Sequence, residues 1–168
     1  MIEVKQLGLS DLEAVVALRR HALEHHPLAF GAAPEEDRLI TGKDTEAIFG
    51  IAGQSVVFGA YESQALVGMA CLTRAIEAKR RHKAIIWGMY VVPSARRKGV
   101  GRMLLAAIVA ESRKWPDVRQ LHLSVTEVAG EARRLYESAG FVEWGREPRS
   151  LRWAGRSADE MHMVLLLE

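Results

Sequence analysis

The sequence predicts an α/β fold in the broad sense, in which helices pack on a mixed sheet (α+β). About seven strands and about four helices are expected. The segments follow the order strand, two helices, three strands, helix, strand, helix and two strands. The three consecutive strands predict an antiparallel meander, and the strand–helix–strand unit after them predicts a parallel pair. The 168 residues fit a single domain that covers residues 1–168.

The N-terminal part predicts a strand followed by two helices. The first strand covers residues 1–7. Ser10 and Glu13 form a capping-box pattern, so we expect the Ser10 hydroxyl to cap a helix that stops at residues 25–27. The next stretch is rich in glycine and proline, and a short second helix is predicted at residues 44–49.

The middle of the chain predicts three strands, at residues 55–62, 66–76 and 83–92. Residues 62–64 form a tight hairpin link, and residues 79–83 form a second, basic link. The basic link has no neighbouring aromatic residues and no wider basic excess, so it is interpreted as a solvated hairpin tip and not as a nucleic-acid site.

The C-terminal part predicts two more helices and three strands. The helices cover residues 99–115 and 130–139, with Gly140 as the cap of the second. The strands cover residues 120–125, 141–147 and 161–167.

Composition and charge exclude several classes of protein. The 23 Lys and Arg against 21 Asp and Glu give a net charge of +2, so neither nucleic acid nor a membrane is expected as a partner. Cys71 is the one cysteine, which excludes an intramolecular disulfide and a cysteine-based zinc site, and its apolar surroundings predict burial. The chain has no membrane-length apolar run and no signal-peptide pattern, so we expect a cytoplasmic protein.

The most informative segment covers residues 85–105. An apolar strand runs into Pro93, which cannot donate to a sheet, and three basic residues then precede Gly99-Val-Gly101 at the start of a helix. Glycines at a helix start let the backbone approach a ligand, and the free N–H groups favour an anion. The Walker and dinucleotide patterns are both absent. The segment therefore predicts a diphosphate site.

Two motifs together resemble the GCN5-related N-acetyltransferase (GNAT) family. Arg96-x-x-Gly99-x-Gly101 is similar to the family's acetyl-CoA motif, Gln/Arg-x-x-Gly-x-Gly/Ala, between the fourth strand and the third helix. Ala132-Arg-Arg-Leu-Tyr136-Glu-Ser-Ala-Gly-Phe141 is similar to Ala-x-x-Leu-Tyr-x-x-x-Gly-Phe. The resemblance extends over nearly the whole chain, and it implies a splayed, mixed sheet and an acyl-CoA N-acyltransferase fold.

The resemblance also implies roles for individual residues, with acetyl-CoA as co-substrate and no metal. Tyr136 would protonate the departing CoA thiolate, because a phenol with a pKa of about 10 carries its proton at neutral pH. The pyrophosphate would bind the backbone amides of Arg97 through Met103, and the pantetheine arm would pair with the open edge of the fourth strand. The residues assigned to the cofactor are Met89, Val91, Val92, Arg96, Arg97, Lys98, Gly99, Val100, Gly101, Arg102 and Met103.

Two departures from the family's pattern concern the chemistry. Ala129 stands where members commonly have an asparagine that contacts the pantetheine region. Ser124 stands where protein N-terminal acetylating members often have a glutamate base, so the general base stays unassigned and we expect Ser124→Ala to be mild. No Ser–His or Cys–His pair is apparent in the sequence, which favours direct transfer over an acyl-enzyme.

Several further residues have a structural and a functional interpretation. His25 and His26 are expected at a solvated helix end, and His122 and His162 on the surface of the sheet. His82 is the better candidate for a base, and no histidine pair has metal-ligand spacing. The acidic residues at 35–37 and the side chain of Trp87 stay open between an acceptor cleft and an ordinary surface or core position.

The predicted function is transfer of the acetyl group of acetyl-CoA to a primary amine of a small molecule or a peptide. The alternative is a non-catalytic acyl-CoA-binding sensor or interaction module of the same fold. The acceptor is not encoded in any motif, and a homodimer is left open.

Overall fold

Seven strands form one mixed sheet in the computed structural model, which describes residues 1–168. The strands are β1 Ile2–Gln6, β2 Ser55–Glu62, β3 Ala65–Arg74, β4 Lys83–Val91, β5 Gln120–Thr126, β6 Val142–Trp153 and β7 Arg156–Leu166. The helices are α1 Leu12–His25, α2 Thr45–Gly50, α3 Val100–Ser112 and α4 Gly130–Ser138. The fold class and the order of elements predicted from the sequence are therefore confirmed. None of the helices has the length and apolar character needed to cross a membrane.

The sheet order is β1-β2-β3-β4-β5-β7-β6, and only the β4–β5 pair is parallel. That pair is short: Lys83–Ile85 lie opposite Gln120–His122, and the two strands then separate. A bulge opposite Met69 and Cys71 bends β4 at Gly88, whose φ of +63° suits glycine. The separation leaves one edge of β4 unpaired in the middle of the sheet.

A hydrophobic core lies on each face of the sheet, and the two cores together support the region where β4 and β5 separate. On one face α3 packs on the sheet through Leu104, Leu105 and Ile108. On the other face α1 and α2 pack through Val15, Leu18 and Ile48. Burial of apolar side chains on both faces fixes β4 between two helical layers.

The predicted capping box at Ser10 and Glu13 is wrong. The chain enters α1 through a 3₁₀ turn at Leu9–Asp11, and Asp11 accepts a hydrogen bond from the Gly8 N–H at 3.0 Å. Asp11 therefore makes the capping contact that was predicted for Glu13. Ser10 lies inside the turn, and its hydroxyl caps no helix.

The last hairpin is longer than the sequence predicts. β6 continues to Trp153 and β7 begins at Arg156, although strands were predicted only at residues 141–147 and 161–167. The register shifts between Glu147 and Leu151, so Pro148 is accommodated in an irregular stretch of the hairpin. Two smaller differences are that β3 ends at Arg74 and α3 ends at Ser112.

Candidate functional site

A large cavity of about 1040 Å³ lies where β4 and β5 separate. Its walls come from five parts of the chain: the end of β4, the loop into α3, the start of α4, the end of α1 with the segment after it, and Arg156 at the start of β7. Nine of the twelve predicted site residues line it: Met89, Val91, Arg96, Arg97, Gly99, Val100, Gly101, Arg102 and Tyr136. The structure thus brings most of the predicted set together around one space.

The loop into α3 presents a row of free backbone N–H groups to this cavity. The amides from Arg97 to Arg102 donate no backbone hydrogen bond. Arg97 has φ of +62° and Gly99 has φ of +79°, so the loop curls before α3 begins at Val100. Successive N–H groups in such a turn, next to the positive end of a helix dipole, form a site for phosphate oxygens.

The side chains of the cavity add positive charge. Five arginines and one glutamate line it, although the whole chain carries a net charge of only +2. The charged residues are Arg96, Arg97, Arg102, Arg134, Arg156 and Glu131. A cavity of this composition favours a ligand with several negative charges.

The unpaired edge of β4 offers backbone groups for an extended ligand. The Val92 N–H donates to the Val67 carbonyl on β3 at 2.9 Å, so the backbone groups of Val91 point to the opposite, open edge. The Val91 carbonyl accepts a hydrogen bond from Arg96 Nε at 3.0 Å, which also holds the arginine against the strand. Met89, two residues before Val91, lines the same cavity.

Three of the predicted cofactor residues lie outside the cavity. The Val92 N–H is bonded to β3, and its side chain packs against the two cores. Lys98 Nζ bonds both oxygens of Glu62, at 2.9 and 3.1 Å. The Met103 N–H donates to the Gly99 carbonyl at 3.0 Å as a normal helical bond, and therefore is not available to a phosphate. The prediction extended the free amides one residue too far.

Tyr136 lies at the junction of the large cavity and a second, smaller one. Its side chain lines both and is 6% exposed. The ring packs edge-on against Phe141, and the Tyr136 carbonyl accepts the Phe141 N–H at 3.0 Å, so the end of α4 holds the ring firmly. Burial raises the pKa of Tyr136 above its usual value, and the phenol therefore keeps its proton through the neutral range.

The second cavity has a volume of about 310 Å³ and lies on the α1 side of the split. Phe30, Trp87, Ser124 and Glu160 contribute aromatic, hydroxyl and carboxylate groups to its wall. Trp87, which the sequence left open between a cleft and a core position, lines this cavity. Its Nε1–H donates to Thr73 Oγ1 at 3.0 Å.

Ser124 forms a contact that the sequence did not indicate. Its Oγ lies 2.8 Å from Nδ1 of His162, and His162 Nε2 lies 3.4 Å from Oε2 of Glu147. No Ser–His pair was apparent in the sequence, but the fold forms one, because Ser124 on β5 and His162 on β7 are register partners although they lie 38 positions apart in the chain. Ligand atoms of Glu147, Glu160 and His162 lie within 4.8 Å of one another, one fewer ligand than a structural zinc site uses.

His25 and His26 at the end of α1 were predicted to be solvated; His25 is exposed, whereas His26 is half-buried. His26 lines the large cavity, its ring lies 5.6 Å from that of Tyr90, and its Nε2 lies 3.4 Å from Arg96. Burial, reinforced by the Arg96 guanidinium, lowers the pKa of His26. His21 Nδ1 lies 2.9 Å from the Tyr90 hydroxyl. His25 stacks on His21 with ring centroids 4.1 Å apart.

The acidic run at residues 35–37 contributes a buried ion pair and no acidic wall. Asp37 Oδ2 accepts from Arg19 Nε at 3.0 Å and lies 2.9 Å from Arg19 Nη2, and both side chains are almost fully buried. Asp37 Oδ1 also accepts the N–H groups of Leu39 and Ile40. Arg19 lines the second cavity, and its Nη1 has no partner among protein atoms.

Two other candidates lie away from the site. His82 precedes the start of β4, whereas the cavity lies at the far end of that strand, so it is not placed to act as a base there. Cys71 is fully buried as predicted, and burial raises the pKa of its thiol to about 12.

Comparisons with known proteins point to one family. A model of the family described as the acetyltransferase (GNAT) family matches residues 15–141. A Staphylococcus aureus N-acetyltransferase has the same fold with a TM-score of 0.85 at 18% identity, over 100% of this chain and 99% of that one. YncA of Salmonella typhimurium, solved with its cofactor acetyl-CoA, gives a TM-score of 0.83 at 20% identity over 100% and 95%. A Streptococcus pneumoniae acetyltransferase of the GNAT family gives 0.83 at 19% identity over 99% and 100%.

Proposed function

Because this chain belongs to the GNAT acetyltransferase family, we propose that it transfers the acetyl group of acetyl-CoA directly to a primary amine of a small molecule or a peptide. The observation that carries the proposal is the position of Tyr136 between the two cavities. The larger cavity suits the cofactor, and the smaller one suits the acceptor. A proton donor at their junction is near the point where a thioester and an amine would meet.

The larger cavity fits the chemistry of acetyl-CoA. The free amides from Arg97 to Arg102 would hold the pyrophosphate, and the surrounding arginines would neutralise it. The open edge of β4 near Met89 and Val91 would pair with the amide groups of the pantetheine arm. The presence of acetyl-CoA in the Salmonella relative of the same fold supports this assignment.

The acyl transfer itself needs a proton donor for the leaving thiolate. As the amine nitrogen bonds to the carbonyl carbon and the C–S bond breaks, the sulfur takes the proton of Tyr136. A buried phenol with a raised pKa stays protonated until the thiolate forms, so the acid is available at each turnover. A free backbone N–H on β4 would polarise the thioester carbonyl as an oxyanion donor.

A non-catalytic acyl-CoA-binding module is the alternative, and Ala129 favours it. Ala129 lines both cavities without a polar group, so it cannot make the cofactor contact of the family's usual asparagine. Such a module would bind acetyl-CoA through the same loop but would not need a tyrosine at a junction with a second cavity.

The test is a panel of primary amines incubated with acetyl-CoA, with release of the CoA thiol as the measurement. We expect turnover with at least one class among small amines, amino acids and amine-bearing peptides. Tyr90→Phe is the matched control for Tyr136→Phe, because both tyrosines line the larger cavity but only Tyr136 lines both. Binding of acetyl-CoA without turnover on any acceptor would favour the binding module.

A further inference from the structure

We propose that Ser124 and His162 form a proton relay that deprotonates the acceptor amine, and that Glu147 holds His162 in the tautomer that the relay requires. This inference rests on the proposed function, because it takes an amine in the second cavity as its premise. It supplies the general base that the family motifs left unassigned.

The relay is a contact between neighbouring strands at the wall of the second cavity. Ser124 on β5 and His162 on β7 are register partners, with Ser124 Oγ 2.8 Å from His162 Nδ1. Ser124 lines the cavity and His162 does not, so a proton from an amine in the cavity reaches the imidazole through the serine hydroxyl. Ser124 is therefore the residue that touches the acceptor, and His162 acts through it.

Glu147 decides which nitrogen of the imidazole carries the hydrogen. His162 Nε2 lies 3.4 Å from Glu147 Oε2, and an ionised carboxylate can only accept. Nε2 therefore carries the hydrogen, and Nδ1 keeps the lone pair that accepts the Ser124 hydroxyl. The hydroxyl oxygen retains lone pairs of its own, which can accept an N–H of the amine. The same logic orients the histidine in serine–histidine–carboxylate triads.

The His162 ring is held among side chains from two strands. Glu147 on β6 and Glu160 on β7 have carboxylate oxygens within 4.8 Å of a ring nitrogen of His162. Trp144 on β6 stacks on the His162 ring with centroids 5.4 Å apart and restricts its orientation. His122 on β5 contacts Trp144 edge-on with ring centroids 6.5 Å apart, and burial lowers the pKa of His122.

The proton balance of the reaction closes with this relay. An acceptor ammonium ion loses two protons overall, one to solvent and one to the CoA sulfur. Ser124 Oγ takes the first from nitrogen while its own hydroxyl proton passes to His162 Nδ1, and the partly exposed imidazole later releases it to water. The N–C bond then forms and the C–S bond breaks. The thiolate takes the Tyr136 proton, and the second nitrogen proton restores the phenol.

The test measures kcat/KM against pH, from 5.5 to 9, with an amine that the wild type acetylates. The variants are Ser124→Ala, His162→Gln and their double mutant, with His122→Gln as the control on the same sheet face. At pH 7 we expect each relay variant to lose about a hundredfold, within the usual range for a general base. For Ser124→Ala this replaces the mild effect expected from the sequence, because the sequence did not indicate the contact with His162. The double mutant should be no worse than the single variants, because the two residues act as one unit.

The pH profile separates a relay from a merely structural contact. The wild-type profile should show an inflection that disappears in His162→Gln, because the relay loses its proton acceptor. His162→Ala should recover activity with added imidazole, and His122→Gln should keep the wild-type profile.

Three results would overturn the relay. The first is an unchanged profile in His162→Gln with only a lower Tm, while Tyr136→Phe still loses turnover, which leaves the proposed function standing. The second is an acetyl group on Ser124 after incubation with acetyl-CoA alone, because that makes Ser124 a nucleophile. The third is a wild type that acetylates no amine, which removes the proposed function together with the relay.

Discussion

Gly101 offers the sharpest test of the phosphate site, because it contributes bare backbone to the first turn of α3 at the cavity wall. A Cβ built there lies 3.0 Å from Leu135 Cδ2 and 3.9 Å from Met89 Cε. The leucine methyl can shift by the few tenths of an ångström required. The carboxylate of Gly101→Asp, however, would occupy the space between α3 and α4 and place a negative charge beside the phosphate-binding amides. We therefore expect this variant to fold and to lose the cofactor.

The size of the effect follows from mass action. A ligand at a hundred times its Kd stabilises the folded state by about 2.7 kcal/mol. At about 2–4 °C per kcal/mol for a chain of this length, acetyl-CoA should raise the wild-type Tm by about 5–11 °C. In Gly101→Asp the shift at the same concentration should vanish, and thermal-shift measurements with and without acetyl-CoA will show it.

Two control variants are needed. One tests whether the added bulk alone causes the loss, and the other tests whether a negative charge elsewhere on α3 has the same effect. Gly101→Ala adds the same Cβ without the carboxylate and should keep most of the shift. Met103→Asp places the carboxylate two residues further along α3, at a side chain that is 40% exposed and outside the cavity, and should also keep most of it. A Gly101→Asp protein that responds to acetyl-CoA as the wild type does would refute the location of the phosphate site.

Three further predictions use other parts of the structure. Tyr136→Phe should lower turnover by about ten- to a thousandfold, with CoA affinity changed only a few-fold; steady-state kinetics and a binding titration check both, with Tyr90→Phe as the control. Asp37→Asn breaks the buried pair with Arg19 and should cost about 3–5 kcal/mol, measured by urea unfolding, whereas a cost below about 1 kcal/mol would contradict the pairing. Cys71 should not react with a thiol reagent at pH 8 in the native state, because burial and a thiol pKa of about 12 keep it protonated, and unfolding should expose it.

The cofactor half of the site could be predicted from the sequence because it is built from one continuous segment. From Met89 to Arg102 the chain contributes a strand edge, a basic loop and a helix start, and each of these has a local signature. The position of Tyr136 at the cavity wall could be predicted for a similar reason, since its motif lies within a single helix and the turn after it. The Met103 amide was predicted to be free, but it makes the first hydrogen bond of α3, so the predicted start of helical hydrogen bonding was one residue too late.

The contact between Ser124 and His162 at the second cavity could not be predicted in this way, because the two residues come from strands that meet only in the folded sheet. Ser124 and His162 are distant in the sequence, and each reads as an ordinary outward-facing strand position. The contact depends on the pairing of β5 with β7, which inserts the last strand between β5 and β6. The same holds for His26, which reaches Tyr90 only because α1 packs beside the end of β4.

The two cavities differ in charge, and this difference would determine which of the two proposed substrates binds in each. Arginines dominate the larger cavity, whereas Glu160 is exposed to the smaller one and Arg19 there is already paired with Asp37. An ammonium ion is repelled by the first set of charges and attracted by the second, and the CoA phosphates respond in the opposite way. In the proposed reaction each substrate would therefore have one favourable cavity, and the thioester and the amine would approach each other from opposite sides of Tyr136. Reversing the sign at Glu160 should accordingly weaken the binding of a cationic acceptor while the binding of acetyl-CoA is retained.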